Sequence, residues 1–266
     1  MNWLKETGDG FLRSADDVNR RRQDGFKSYM LCANCEDRFG KLETYVAKSI
    51  FHPVVNDSVT EFKYDERLFK FVISVFWRTL HHGLLQEEKQ FSTYPYLLEA
   101  EKQWKNYLLD NGTLERFNKL HLLIGVDVMR NTSNLEKEIT DRAVKYMARN
   151  IDSGVIDDGN TYHVAFLKIP RFLFIIPVSN IDEKQFTDTE IFISGGSYRV
   201  NDGFINDPNI GYTLLDRINQ LENALGSMSQ AQKQKIEERT LKKWGDVKNK
   251  DLGQILEYLR DKSKNK

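Results

Sequence analysis

The separation of strand-like from helix-like segments is the feature that most constrains the fold of this chain. Three runs rich in Phe, Ile, Val and Tyr follow one another, at residues 162–169, 172–178 and 190–200. Helical patterns dominate before and after them. Because a parallel sheet needs strands that alternate with helices, this order predicts an α+β protein with a small, mainly antiparallel sheet between about residues 120 and 200.

Two residue types refine the expected sheet. Gly195 and Gly196 lie inside the third run and predict a two-residue hairpin turn that splits it into two paired strands. Pro170 and Pro177 cannot donate a backbone hydrogen bond, so at least one strand is expected to lie at an edge or to bulge.

The first 112 residues carry mostly helical signals. Asp65 is a suitable N-cap for a helix over residues 66–82 that Gly83 would close, and Pro95 begins a helix over 95–109. The first of these helices is so apolar that we expect it to be a core element supporting the cysteine-bearing helix described below. Its side chains expected to be buried are Leu68, Val72, Val75, Phe76 and Trp77.

The C-terminal third returns to helical patterns and completes the expected architecture. A stripe formed by Leu214, Ile218, Leu221 and Leu225 precedes Ser229, a suitable cap for a second helix. A third stripe consists of Leu252, Ile255, Leu256 and Leu259. We expect a helical region at 1–112 and an α+β region with C-terminal helices at 113–266, either as two units or as one compact domain.

Both cysteines of the chain, Cys32 and Cys35, lie in one short turn. Two thiols separated by two residues can bind one metal ion, and zinc is the metal that this spacing favours. A helix is predicted from Glu36 onward, because Phe39, Leu42, Val46 and Ile50 recur at intervals of three and four, and Pro53 marks its expected end.

The turn and helix together resemble a family. Leu31-Cys32-x-x-Cys35-Glu36, then Phe39, Glu43 and Tyr45, then Val75-Phe76-Trp77-Arg78, are similar to segments of uncharacterised bacterial proteins related to HNH-type zinc-finger nucleases. The resemblance covers about residues 19–83. It implies that Cys32 and Cys35 form the second half of a treble-clef zinc site.

The first half of that family pattern is missing from this chain. The resemblance implies an upstream cysteine pair and a histidine that acts as general base, yet no cysteine precedes Cys32 and no histidine precedes His52. Loss of the base alone lowers hydrolysis by about 10²- to 10⁴-fold, so we do not expect nuclease activity. His52, at the far end of the predicted helix, is a poor third ligand, whereas His121 and His163 could reach the pair only through tertiary folding.

Positive charge is balanced overall and concentrated locally. Lys plus Arg and Asp plus Glu number 39 each, so contact with nucleic acid would depend on local patches. Arg20, Arg21 and Arg22 precede the cysteine turn, and Lys242 and Lys243 lie in a lysine-rich C-terminal segment. The same residues also fit solvated turns and helix faces that bind nothing.

Composition narrows the setting and leaves three functions open. No apolar run approaches the roughly 20 residues of a membrane span, and no signal peptide is recognisable, so we expect a cytoplasmic protein with reduced thiols and no membrane contact. The first function is an HNH-related zinc-knuckle scaffold that binds nucleic acid or a protein partner. The second is a plain interaction module whose cysteines pack as small apolar residues, and the third is a thiol redox protein.

Overall fold

The computed structural model describes residues 2–14, 16–24, 29–57, 59–86, 95–125, 137–158, 161–179, 181–200 and 202–247, together with residues 253 and 257. It confirms the α+β class, because an antiparallel sheet lies between two groups of helices. No helix within these ranges combines the length and apolarity needed to cross a bilayer. The four residues of the third C-terminal stripe, Leu252, Ile255, Leu256 and Leu259, lie outside the described residues.

The elements follow the chain in this order. The helices are α1 (Asn2–Glu6), α2 (Ala33–Val46), α3 (His52–Asn56), α4 (Glu66–Gln86), α5 (Pro95–Leu108), α6 (Lys137–Arg149), α7 (Pro208–Gly226), α8 (Gln230–Lys242) and α9 (Trp244–Val247). The strands are β1 (Glu61–Tyr64), β2 (Leu120–Ile124), β3 (Asp152–Asp157), β4 (His163–Ile169), β5 (Phe172–Pro177), β6 (Phe186–Thr187), β7 (Glu190–Ile191), β8 (Gly196–Arg199) and β9 (Phe204–Ile205).

The main sheet has five antiparallel strands in the order β3-β4-β5-β2-β7. Its side chains alternate between two apolar layers, as the pleat of a strand requires. Leu122 and Phe174 face a core built with α2, α4 and α5, whereas Leu123 and Ile175 face a second core built with α6 and α7. The protein therefore buries both faces of its sheet.

The helix that follows the cysteines continues past Pro53, contrary to the prediction that it would stop there. A π-helical turn, Ala47–Phe51, joins α2 to α3, and the N–H of His52 donates to the carbonyl of Ala47. This wide turn interrupts the regular hydrogen-bond ladder immediately before the residue that has no N–H to contribute. The proline is thus accommodated without ending the helical path.

Helix α4 carries the largest part of the first core. Leu68 and Val72 are fully buried, Phe76 and Trp77 retain 3% and 7% exposure, and Val75 packs partly buried against the same cluster. The prediction that α4 supports the cysteine-bearing helix is confirmed by the packing of α2 along it. The expected end at Gly83 is wrong, because Leu84 also packs on the core and outweighs the roughly 1 kcal/mol penalty of a helical glycine.

Two expectations about the sheet are corrected. The two glycines do not form a hairpin: β8 pairs with β1, whereas β7 pairs with β2. Gly195 adopts a φ of 90°, and a Cβ there would meet the Tyr64 carbonyl oxygen at 2.6 Å, so glycine permits this close approach. Pro177 is the last residue of β5, which is a central strand. The pairing of β5 with β2 has already ended at Ile175, so the missing N–H of Pro177 costs no hydrogen bond to β2.

The C-terminal helices follow the predicted pattern in their first two segments. Leu214 and Ile218 are buried in the second core, and Leu225 at the end of the stripe is exposed. The Ser229 hydroxyl caps α8 by accepting the N–H of Gln232. Strands β1 and β3 had no counterpart in the sequence predictions.

Candidate metal-binding and thiol site

The cysteine turn lies where the chain passes from extended backbone into α2. Cys32 is the N-cap with φ −78° and ψ 163°, and its carbonyl accepts the N–H of Glu36 at 3.0 Å. Both thiols are free, with Cys32 exposed and Cys35 half-buried. The first N–H groups of a helix have no partner within the helix, so the thiol of Cys32 lies beside unpaired donors.

The pKa values of the two thiols are shifted in opposite directions. The backbone N–H of Cys35 is the main cause that lowers the pKa of the Cys32 thiol, followed by the Cys35 thiol and the N–H of Asn34. Proximity to the Cys32 thiol is the main cause that raises the pKa of Cys35, and burial adds to it. Because the Cys32 side chain makes no cap hydrogen bond of standard geometry, these N–H groups act chiefly as nearby dipoles. Cys32 is therefore the first of the pair to ionise.

Arg38 connects the cysteine-bearing helix to the chain beyond α5. Its guanidinium donates to the carbonyl of Leu108 at 2.9 Å and to Asp110 at 2.8 Å, and its charge partly opposes the rise in the pKa of Cys35. Nothing in the sequence around Arg38 identified this role, because its partners lie 70 residues away.

The residues that carry the family resemblance form a contact network between α2 and α4. Arg78 donates to Glu43 at 3.0 Å and lies 5.5 Å from the centroid of the Phe39 ring. The Tyr45 hydroxyl accepts the N–H of Asp65 at 3.4 Å, and Trp77 donates to Glu101 at 2.8 Å. These contacts hold α2, the helix that follows the cysteine turn, against α4, and α4 against α5.

The histidines considered as further ligands lie elsewhere. His52 begins α3 and approaches Asn56 at 3.4 Å. His121 is buried against Phe186 and approaches the Thr189 hydroxyl at 3.0 Å, whereas His163 is buried on β4 with its Nε2 atom 3.9 Å from Asp157. In the described ranges, no three His, Cys, Asp or Glu side chains are placed to hold one metal ion.

The two predicted basic segments meet on one surface. Arg21 and Arg239 lie 4.9 and 5.1 Å from the centroid of the same ring, that of Phe11. The Asn19 side chain also accepts the N–H of Ser229 at 2.9 Å. We call this the basic surface and define it by Arg21 and Arg239 together with their neighbours in the chain, Arg20, Arg22, Lys242 and Lys243. Sequence reasoning missed Phe11 and Arg239, because their partners are distant in the chain.

The two C-terminal lysines of the basic surface have different environments. Lys242 is exposed, whereas the ammonium group of Lys243 donates to the carbonyls of Lys5 and Glu6 at 3.3 Å. Those carbonyls end α1, so Lys243 acts as a cap for that helix. Lys242 is therefore the more available of the two for an outside ligand.

In comparisons with known proteins, no family model, curated protein or solved structure matches the chain.

Proposed function

We propose that this protein is a zinc-binding interaction module in which Cys32 and Cys35 supply two thiolate ligands and a partner supplies the rest. The observation that carries the proposal is the pair of free, accessible thiols at the start of α2, beside N–H dipoles that favour the thiolate of Cys32. Structural zinc sites almost always have four protein ligands. A partner protein or a second copy of the chain would complete the site.

The resemblance to HNH-related proteins is compatible with a scaffold role. The contacts of Glu43 and Arg78 would hold the helix that follows the cysteine turn in place. The basic surface would add weak, salt-dependent contact with nucleic acid. In the cytoplasm, the expected compartment, both thiols stay reduced and available to metal.

Zinc stoichiometry is the direct test of this function. With only two thiolates from the chain, we expect freshly purified protein to hold less than one zinc per chain and to lose it readily to a chelator. Complete structural sites bind with about 10 to 16 kcal/mol, far more than half a site can provide. Elemental analysis before and after chelator treatment, with titration of the free thiols, measures the zinc per chain and its loss. Cys32→Ser and Cys35→Ser should each abolish zinc binding.

The same measurements can refute the proposed zinc-binding function. No zinc uptake by the reduced protein at any protein concentration or with any candidate partner would refute it. One zinc per two chains, appearing together with dimers in sedimentation, would identify a second copy as the partner. Ser49→Ala, a hydroxyl change in the π-helical turn after α2, is a matched control that should leave zinc content unchanged.

A second candidate function is thiol-disulfide exchange. It is favoured because the two neighbouring thiols are free and the pKa of Cys32 is lowered while that of Cys35 is raised. A thiolate at Cys32 can attack a disulfide in a substrate, which releases one substrate thiolate and leaves the other substrate sulfur bound to Cys32 as a mixed disulfide. Cys35, once deprotonated, can then attack the Cys32 sulfur, so that a Cys32–Cys35 disulfide forms and the second substrate thiolate leaves. Cys32→Ser would abolish the reaction, whereas Cys35→Ser would trap the mixed disulfide. If Cys32 and Cys35 reacted with iodoacetamide at equal rates near neutral pH, the redox function would lose its basis.

A further inference from the structure

A cleft lined by residues of several strands and the loops between them has the features of a ligand site. It has a volume of about 670 Å³, within the usual range for sites that hold small molecules. It opens where the ends of β2, β7 and β8 meet, and its wall includes His121, Phe186, Phe192 and Tyr198. None of these residues belongs to the cysteine turn or to the basic surface.

The charge of the cleft is strongly negative. Its carboxylates outnumber its cations, Lys119 and Arg199, and they are Glu61, Glu183, Asp188, Glu190 and Asp202. Lys119 lies 3.2 Å from Glu190, and Arg199 lies 3.9 Å from Glu61. Among the described residues, no lysine or arginine forms an ion pair with Asp188 or Asp202, and Glu183 shares Lys119 with Glu190, so Asp188 and Asp202 give the cleft most of its uncompensated charge.

Asp188 and Asp202 both influence one buried phenol, that of Tyr198. The Tyr198 hydroxyl donates to the carbonyl of Leu122, and the side chain is 4% exposed. Burial raises the pKa of Tyr198 first, and the charges of Asp202 and Asp188 raise it further. The negative charges of both carboxylates therefore act on the Tyr198 hydroxyl.

His121 adds an unsatisfied hydrogen-bonding atom to this wall. It is 4% exposed, and its Nε2 atom is buried without a hydrogen-bond partner among the described residues. Its Nδ1 atom lies 3.0 Å from the Thr189 hydroxyl. When Nδ1 donates to that oxygen, Nε2 carries a lone pair and accepts a hydrogen bond. A buried acceptor without a partner costs roughly as much as a lost hydrogen bond, which favours a ligand that donates one.

Aromatic rings border the same space. Phe192 is 53% exposed, and the Phe186 ring covers the imidazole of His121 at a centroid distance of 4.1 Å. Phe186 is itself only half-buried, so rotation of its ring would open a path to Nε2. Exposed aromatic faces attract organic cations.

We propose that this cleft binds an alkylammonium ligand, a primary amine on a flexible chain, with Asp188 and Asp202 balancing its charge and His121 Nε2 accepting one of its N–H hydrogens. The amine combines the positive charge that the carboxylates favour with the donor that the imidazole lacks. Its methylene chain would pack against Phe192. The same chemistry occurs in a free polyamine and in the lysine side chain of a partner protein.

Calorimetric titration with spermidine at low ionic strength tests the proposal. We expect saturable binding of one spermidine per chain and, for the combined Asp188→Asn and Asp202→Asn variant, affinity lower by about tenfold, since each removed charge weakens a surface attraction by roughly threefold. Asp216→Asn, an exposed carboxylate on α7 outside the cleft, is the matched control and should bind like the wild type. Absence of saturable binding, or an equal loss in the control, would overturn the proposal.

A pair of small ammonium ligands separates the contribution of hydrogen bonding to the affinity from that of charge. Tetramethylammonium carries the same charge as a single ammonium group and has no N–H, so it should bind more weakly than methylammonium to the wild type. In His121→Phe, which retains the aromatic stack, the difference between the two ligands should shrink, because only the carboxylates still accept N–H hydrogen bonds from methylammonium. Equal binding to the wild type would refute the role of His121, and if His121→Phe does not fold, the wild-type comparison and the Asp188 and Asp202 variants still decide.

The source of the amine is resolved by one more titration. Binding of Nα-acetyl-lysine amide as tight as that of a free alkylamine would indicate a lysine side chain of a partner, whereas a strong preference for spermidine would indicate a free polyamine. Both results support the amine site. Failure of every amine would overturn it.

Discussion

Acid pH should destabilise this protein through His121. Burial is the main cause that lowers the pKa of His121 from 6.5 to about 4, and the positive charge of Lys119 adds to it. The imidazole lies beneath Phe186, beside Thr189, and opposite Glu190 on the neighbouring strand. The folded protein therefore holds it uncharged at neutral pH.

The size of the effect follows from the difference between the folded and unfolded states. As the pH falls below 6.5, the unfolded chain binds a proton at His121 that the folded chain does not bind until about pH 4. Stability is therefore lost across this interval and is fully present above it. One pKa unit corresponds to about 1.4 kcal/mol, so the loss is about 2 kcal/mol between pH 7 and pH 5 and about 3 kcal/mol in full.

Urea unfolding of the wild type and of His121→Phe at both pH values measures this loss. The variant should be less stable at pH 7 by about 1 to 3 kcal/mol, because the Thr189 hydroxyl loses its buried partner. Its free energy of unfolding should nevertheless fall by about 2 kcal/mol less than that of the wild type between pH 7 and pH 5. Parallel pH profiles for the two proteins would refute the reasoning, since carboxylates contribute equally to both.

Two further predictions concern the core and the basic surface. Phe76→Ala should lower the free energy of unfolding by about 3 to 5 kcal/mol in urea titrations, because Phe76 is 3% exposed and stacks on Trp104 at 5.8 Å; a loss below about 1 kcal/mol would show that α4 is peripheral. Nucleic-acid binding through the basic surface should weaken steeply with salt, and Arg21→Ala should reduce the slope of log affinity against log salt by about 1 in fluorescence anisotropy. Salt-insensitive binding would exclude that surface.

Local patterns predicted the helices well where the apolar signal was dense. The helix over residues 66–82 corresponds to α4, and the one over 95–109 corresponds to α5. These segments have apolar residues at helical spacing and recognisable starts at Asp65 and Pro95, so local rules suffice. The placement of Cys32 and Cys35 at the start of a helix was equally local.

Short strands with few apolar residues were beyond such rules. Strand β3 reads Asp-Ser-Gly-Val-Ile-Asp and offers only Val155 and Ile156 as apolar residues, so it becomes a strand by pairing with β4. Strand β1 likewise depends on β8, more than 130 residues further along. In both cases the pairing partner decides that the segment is a strand: the adjacent strand for β3 and a distant one for β1.

Features that depend on nearby residues could be predicted from the sequence, whereas contacts between residues far apart in the chain could not. The sequence by itself determined the apolar helix α4 and the two-thiol turn, because each depends on neighbours within a few residues. It also determined the α+β class, because that depends only on the order of helix-like and strand-like segments along the chain. Only the tertiary structure decided that Arg21 and Arg239 share the Phe11 ring, and that Glu61 joins His121, Asp188 and Asp202 around one cleft. Those groups meet because β1 pairs with β8 and β2 with β7, contacts that depend on how the whole chain buries its sheet.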